Sequence, residues 1–246
     1  FLQAGRAVET FQNPDRVVIG AESEEAGDQV AALYEGMEVT VVRTDPQSAE
    51  LIKYASNTYL ALRLSFVNTL ATLCEKGGGD ASAVLKGMGL DARIGPAFLS
   101  PGPGWGGSCF PKDTRALSAV ARGIGADTTL LEGSLLANQL RFDQVAAQVK
   151  EAVGGGLSGK HIGVLGLTFK AETDDLRESP ALAVIERLLV SGARVTAYDP
   201  LVAESPLKDL EVVPSAAGAA QGVDAVVVLT EWPEFATLDL VALAET

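Results

Sequence analysis

Residues 102–117 read GPGWGGSCFPKDTRAL, with four glycines in six positions and one of the chain's two cysteines shortly after them. Glycine loses the most conformational freedom on folding, so such a run marks backbone that must turn sharply or lie against a ligand. The run raises the question whether Cys109 is a nucleophile. Pro111 suits the first turn of a following helix. The sulfur then meets the unsatisfied N–H groups and favourable dipole of that helix start, with Lys112 close by, a setting that favours thiolate. Asp113, in the same turn, fits either a helix-stabilising charge or a general base. Cys74 lies in an apolar helical stripe beside Leu73 and reads as a small hydrophobe.

Lys53 and Asn57 are four residues apart in a long helical pattern, so their side chains share one face. A buried ammonium is costly unless it has a partner, and an unpaired amide costs on the order of 1–3 kcal/mol. Either the pair serves chemistry, or the lysine stem packs while its head reaches water and Asn57 bonds to a loop. The single histidine, His161, opens a strand pattern and reads as structural, which removes most imidazole and zinc schemes, so no metal site is expected.

These residues need a scaffold, and the chain is large enough to supply one. Its 246 residues, 47% hydrophobic, can bury a substantial core in one or two domains. The net charge of −13 argues against nucleic-acid binding, and an anionic small ligand would need a local cluster of Lys and Arg. The longest apolar runs, such as Ala225–Leu229, are too short to span a bilayer, and the opening FLQAGRAVET has no signal-peptide pattern. A soluble, cytoplasmic protein with free thiols is expected.

Along the chain, RVVIGAES reads as a strand, EEAGDQVAALYEGM as a helix ending near Gly36, and VTVVRTD as a strand. Two strands alone leave edges unpaired, which suggests a sheet continued by an upstream domain. Asp45-Pro46 then starts a helix of about thirty residues that ends at Gly77-Gly78-Gly79. It is apolar nearly all round, with Lys53, Asn57, Ser65 and Asn68 set among Leu, Ile, Val and Phe, and a helix of that kind is expected to be buried. A short helix follows from Asp80 to near Gly87, another from Cys109 to about Arg122, and a long one from Asp127 to Val153. From Gly159 strands and helices alternate: HIGVLGL, SPALAVIERLLVSG with Ser179 as cap, ARVTAYDP, EVVP, a small helix at 215–221, and DAVVVL. GVLGLTF is not a GxGxxG fingerprint, so a dinucleotide site in this half has poor support.

GPGWGGSCFPKDTRAL, IKYASNTYLALRLSFVN, DARIGPAFLSPGPGWGG, GLTFKAETDDLRESPAL with AYDP, and TEWPEF, in this order, resemble the UDP-glucose 6-dehydrogenases of the UDP-glucose/GDP-mannose dehydrogenase family. The resemblance implies an α/β fold: residues 1–44 as the end of an N-terminal Rossmann NAD-binding domain, 45–153 as a helical central dimerisation domain, and 154–246 as a doubly wound, Rossmann-like UDP-sugar domain. It further implies two-step oxidation of UDP-glucose to UDP-glucuronate with NAD as cofactor. Cys109 would carry the thiohemiacetal and thioester, Lys53 and Asn57 would stabilise oxygen charge, and Asp113 would handle protons or position water. Leu2, Arg93, Phe98, Ser100, Gly102, Gly104, Trp105, Gly106, Phe110 and Lys170 would bind substrate, Arg93 from the neighbouring subunit, while Lys112 and Arg177 would contact NAD.

The chain departs from the family pattern at Ala4, where a glutamate is expected. Another expected glutamate would precede Phe1, and a last strand and an arginine would follow Leu243. A fragment of a dehydrogenase is the resulting expectation, with a nucleotide-sugar-binding or dimerising module lacking hydride chemistry as the alternative. Within the enzyme class, GDP-mannose and UDP-N-acetylmannosamine dehydrogenases compete. The long apolar helices point to a homodimer packed across a two-fold axis.

Overall fold

A computed structural model of the chain describes Leu2 and residues 5–239, so Ala4 and Leu243 lie outside the described residues. The chain divides into two compact units, Phe1–Thr58 and Tyr59–Thr246.

In the first unit, α1 (Ala7–Gln12) precedes β1 (Val17–Gly20), α2 (Glu24–Ala32), β2 (Val41–Thr44) and the opening of α3 (Pro46–Gly77). The strands pair in parallel with Val17 opposite Val41. Ser23 caps α2 by accepting from the Ala26 N–H at 3.2 Å. Asp45 does the same for α3, accepting from the Ser48 N–H at 2.8 Å. A Cβ on Gly20 would lie 2.7 Å from the Ala49 Cβ and 2.8 Å from the Pro46 Cα, so only glycine lets β1 end against the start of that helix. Sequence reading found both strands, α2 and α3. It missed α1, a six-residue helix that buries none of its side chains.

The second unit continues along α3 into α4 (Ala81–Gly89), α5 (Phe110–Gly123) and α6 (Thr129–Ala152). It then forms a four-stranded parallel sheet from β3 (His161–Leu165), β4 (Arg194–Tyr198), β5 (Leu210–Val212) and β6 (Ala225–Val228), in the order β5-β4-β3-β6. α7 (Pro180–Val190) joins β3 to β4, and α8 (Ala216–Ala220) joins β5 to β6. Alternation along β3 sorts its side chains. Ile162 and Val164 join the core made with α6 and α7, through Phe142, Val145, Val184, Ile185 and Leu188. Leu165 faces the other way, toward Ala216, Ala219, Trp232 and Phe235. A Cβ on Gly163 would overlap the Ala219 carbonyl, so glycine lets α8 sit directly on the strand. The architecture is thus α/β, with a helical middle followed by a doubly wound parallel-sheet domain, as the sequence implied.

One expectation is corrected. α3 is not buried all round: Tyr59, Phe66 and Leu73, spaced by seven residues, are 60%, 53% and 60% exposed. Its other face is closed by α6 and the loop before α5, which leaves this stripe uncovered by the described residues of the chain.

Candidate active site

The glycine-rich segment 100–106 has no regular structure, so its backbone groups must find partners elsewhere. They find them in polar side chains of α3 and α6. The Gly102 N–H donates to Asn68 Oδ1 at 2.9 Å, and its carbonyl accepts from Arg141 Nε at 2.8 Å. Asn138 grips Trp105 twice: Oδ1 accepts from the Trp105 N–H at 2.9 Å, and Nδ2 donates to the Trp105 carbonyl at 2.8 Å. The Trp105 indole donates to Ser65 Oγ at 2.8 Å, which itself donates to the Ser134 carbonyl at 3.2 Å. Ser65, Asn68, Ser134, Asn138 and Arg141 are all buried. Burial pulls the Arg141 guanidinium below its ordinary basicity, and the charge of Glu75 opposes that loss. Gly104 sits at φ +142°, where any Cβ would overlap the Phe142 ring.

This anchored loop delivers Cys109 to the N-cap of α5. The thiol is exposed, and its sulfur lies 3.5 Å from Ser108 Oγ. Pro111 occupies the first turn, as expected. The Asp113 N–H donates to the Cys109 carbonyl at 2.8 Å. The Asp113 carboxylate is buried to 2% exposure and is paired with the exposed ammonium of Lys112. Cys74 is a free thiol too, but a half-buried one.

A second loop, residues 166–179, approaches the first. Gly107, at φ +80°, lies against the Phe169 ring, over which the Lys170 ammonium sits 5.9 Å from the centroid. Arg177 forks onto Asp175 with bonds of 2.9 and 2.6 Å. This pairing pushes Arg177 further up from its ordinary value and holds Asp175 below the usual carboxylate range. The neighbouring Glu178 forks in turn onto Arg115 of α5 at 3.0 and 2.7 Å. A Cβ on Gly106 would overlap the Glu178 carbonyl oxygen, so the two loops touch through backbone.

The base of the second loop is tied to the sheet by Asp199, which is 3% exposed. Its Oδ2 accepts from the Leu167 N–H at 2.8 Å, the Thr168 N–H at 3.2 Å and the Trp232 indole at 3.1 Å. Ser179 Oγ closes the loop by donating to the Leu167 carbonyl at 2.6 Å. Among the described residues, the non-glycines at positive φ are Phe98, Glu172 and Glu178, all in segments that carry candidate site residues.

The second unit thus gathers Gly102, Gly104, Trp105, Gly106, Cys109, Phe110, Lys112, Asp113, Lys170 and Arg177 around two touching loops. Phe98 and Phe110 face each other with ring centroids 6.4 Å apart. Ser100 is exposed at the loop's start. Arg93 forks onto Asp91 at 3.0 and 2.6 Å, with its side chain 89% exposed. In the first unit, Asn57 is buried and Lys53 half-buried one turn before it, while Leu2 is exposed.

Sequence reasoning missed Arg115, Asn138, Arg141, Glu178 and Asp199. The available signal was weak: Asn138 and Arg141 are polar residues three apart on a helix flanked by Leu and Phe, the pattern that had drawn notice to Ser65 and Asn68 on α3. Among the described residues no group of three or more His, Cys, Asp or Glu could hold a metal ion, and no helix is long and apolar enough to cross a membrane.

Comparison with known proteins bears on the same residues. The central-domain profile of the UDP-glucose/GDP-mannose dehydrogenase family matches residues 47–140, and the family's UDP-binding-domain profile matches residues 163–246. The chain is 44% identical to a UDP-glucose 6-dehydrogenase of Rhizobium meliloti, over 100% of the chain and 58% of that protein. To a Bacillus subtilis UDP-glucose 6-dehydrogenase it is 42% identical, over 98% of the chain and 56% of that protein. A solved UDP-glucose dehydrogenase from Pyrobaculum islandicum superposes with a TM-score of 0.92 at 39% identity, covering 97% of the chain and 56% of that structure. A UDP-D-ManNAc dehydrogenase from Pyrococcus horikoshii gives 0.87 at 27% identity, over 100% of the chain and 56% of that structure. The chain therefore spans less than two thirds of the length of these relatives. Both profiles, in order and over the two touching loops, place the chain in the UDP-glucose/GDP-mannose dehydrogenase family.

Proposed function

We propose that this chain forms the helical central part and the UDP-sugar-binding part of an enzyme that oxidises UDP-glucose to UDP-glucuronate in two steps, with Cys109 as the covalent nucleophile. The observation that carries the reading is the presentation of Cys109: an exposed thiol at a helix N-cap, on a loop fixed by buried polar side chains, with a buried carboxylate one turn away. Curated relatives carrying the UDP-glucose 6-dehydrogenase name, 41–44% identical over nearly the whole chain, support the substrate.

NAD, when bound, supplies the hydride acceptor for both oxidations. Lys112, three residues after Cys109, and Arg177, on the loop that touches the glycine-rich one, are exposed cations that fit contacts to its charged parts. The Cys109 sulfur adds to the C6 aldehyde carbon, forming a C–S bond while the carbonyl oxygen takes up a proton. Holding the aldehyde covalently keeps a reactive intermediate from escaping. Once oxidised to the thioester, the adduct is cleaved by water at the C–S bond, which releases the carboxylate and restores the thiol. Asp113 positions that water or takes its proton, and Lys53 and Asn57 stabilise charge developing on oxygen. Lys170, Phe98, Phe110 and the loop from Ser100 to Gly106 hold the nucleotide-sugar, with Leu2 assigned to substrate binding by the family resemblance alone.

The domain limits proposed are 44/45 and 153/154, supported by the start of α3 at Pro46 and the end of α6 at Ala152. The working unit is a homodimer packed through the exposed stripe Tyr59, Phe66 and Leu73 of α3, with Arg93, exposed and held by Asp91, serving the neighbouring subunit. Sedimentation showing only monomer at micromolar concentration sinks the dimer. Two free thiols agree with a cytoplasmic setting.

The test of the reading is the rate at which iodoacetamide labels Cys109 and Cys74, read by peptide mass. The expected result is fast labelling of Cys109, slowed by UDP-glucose and not by GDP-mannose. Equal, slow labelling of both thiols, unaffected by UDP-glucose, refutes the reading; protection by GDP-mannose instead reassigns the sugar nucleotide.

A further inference from the structure

Two loops meet beside Cys109, and the side-chain bridge between them has no role in the chemistry above. Arg115 lies on α5, six residues after the cysteine, and Glu178 lies next to Arg177 in the loop that carries Lys170. Their guanidinium and carboxylate make two bonds, 3.0 and 2.7 Å long, with each side chain about half exposed. A pair half exposed to water is screened and contributes little to stability, so stability is a poor reason for its geometry. A planar fork does, however, fix orientation in a way a single bond does not.

Three further observations give that orientation a purpose. Glu178 is held at φ +50°, a conformation that costs a non-glycine residue energy and persists where surrounding contacts enforce it. Its carbonyl oxygen lies where any side chain on Gly106 would be, so the same residue touches the glycine-rich loop through its backbone and α5 through its side chain. The far end of the loop is fixed independently, through Ser179 to Leu167 and through Asp199 to Leu167, Thr168 and Trp232. A loop anchored at both ends and bolted to the cysteine's helix can pass a change at Lys170 to that helix with little slack.

We propose that Arg115 and Glu178 are positioning residues, a latch through which occupancy of the nucleotide loop Lys170–Ser179 sets the presentation of Cys109. The proposal rests on the reading that UDP-sugar binds at this loop. A nucleoside diphosphate lacking the sugar is the ligand that isolates the effect, because it engages the loop without a hexose to cover the sulfur.

The experiment measures iodoacetamide labelling of Cys109 and Cys74 in the full 246-residue chain, free, with saturating UDP and with saturating UDP-glucose. It is run for the wild type, Arg115→Gln, Glu178→Gln, Arg115→Lys and the Arg115→Gln/Glu178→Gln double variant. UDP alone is expected to change the Cys109 rate about two- to five-fold in the wild type, the range that a coupling of up to about 1 kcal/mol gives. Each Gln variant brings that ratio close to one, and the double variant is no further altered than either single. Arg115→Lys, which keeps the charge and loses the fork, falls between. Cys74 labelling stays unchanged, and thermal midpoints stay within about 4 °C of wild type, as loss of a half-exposed pair allows.

An unchanged UDP effect in both Gln variants overturns the latch, as do additive effects in the double variant. So does loss of the effect with a much larger fall in thermal midpoint, which would make the pair merely structural. Protection by UDP-glucose with no UDP effect in the wild type overturns the latch and leaves the functional reading standing. No protection by UDP-glucose in the wild type overturns both.

Discussion

Gly106 offers a sharp test of how the two loops are joined. Replacing it with alanine places a Cβ on top of the Glu178 carbonyl oxygen, with Pro180 Cδ 2.8 Å away and the Glu178 carbonyl carbon at 3.0 Å. The obstructing atoms are backbone and a proline ring, and neither can swing aside as a long side chain would. Glu178 is further restrained by its fork to Arg115, and Ser179 by its bond to Leu167, so the strain cannot be shed locally. Overpacking of this kind costs about 1–3 kcal/mol, and the upper end applies where the neighbours are fixed. For a cooperative unit of this size about 3 kcal/mol lowers the thermal midpoint by roughly 6–12 °C.

Gly102 supplies the control from the same loop. A Cβ there meets nothing within 4 Å, and its N–H and carbonyl keep their bonds to Asn68 and Arg141. Gly102→Ala is expected to be neutral in stability, or to gain about 0.4–1 kcal/mol by reducing the freedom of the unfolded chain. Calorimetry of the two variants decides: equal losses, or a Gly106→Ala midpoint within a degree or two of wild type, would mean that the loops are not in backbone contact.

Three other outcomes follow from the same contacts. Asn138→Ala leaves the buried Trp105 N–H and carbonyl without their partners, each costing about 1–3 kcal/mol, and should shift Trp105 emission and lower the denaturant midpoint; an unshifted spectrum with native stability refutes it. Asp175, held low chiefly by the hydrogen bond from Arg177, contributes stability that is full above the unfolded carboxylate value near about 4 and is lost as pH falls through its lower folded value. Acid should therefore release the Arg177 loop only below about pH 4, and in Arg177→Gln the Asp175 carboxyl, followed by NMR, should titrate higher. Phe66→Glu, on the exposed stripe of α3, should give a monomer by sedimentation with little change in the thermal midpoint of the second unit.

Much of this architecture could be read from residue order. Asp45-Pro46, Ser179-Pro180 and the glycines at 77–79 gave the ends of α3 and the start of α7 to within a residue, because caps and breakers act locally. The position of Cys109 before α5 was legible for the same reason. The partners of Asn68 and Ser65 were not, since Gly102 lies 34 residues beyond the first and Trp105 lies 40 beyond the second. Pairing over such separations depends on how helices pack, which no local pattern records. The apolar circumference of α3 misled for a related reason: apolar residues on every face mean that each face is covered by something, and the sequence does not say whether the cover belongs to the same chain.

The second unit has the strand order of dinucleotide-binding sheets without their glycine fingerprint. Order β5-β4-β3-β6 reverses direction between β3 and β6, and ligands of such sheets gather at that crevice, beyond the strand ends. In a dinucleotide site a glycine turn after the first strand admits the pyrophosphate, and an acid at the end of the second strand takes the ribose. Here the glycine is Gly166, and a Cβ on it would overlap Thr230, whose hydroxyl donates to the Thr168 carbonyl at 2.8 Å. The acid is Asp199, turned inward onto Leu167, Thr168 and Trp232. Both devices are thus spent on holding the loop that carries Lys170. Asp199→Asn keeps the shape but replaces one acceptor oxygen with a donor, so the donors of Leu167, Thr168 and Trp232 on one oxygen and Leu201 on the other cannot all be satisfied. UDP affinity should fall about ten-fold, the equivalent of one lost buried bond to a charged group. Trp232 emission should shift with it, while Ile162→Val, destabilising the same sheet by about 1 kcal/mol, should leave UDP affinity unchanged. Equal effects of the two variants on affinity would show that Asp199 acts through stability alone.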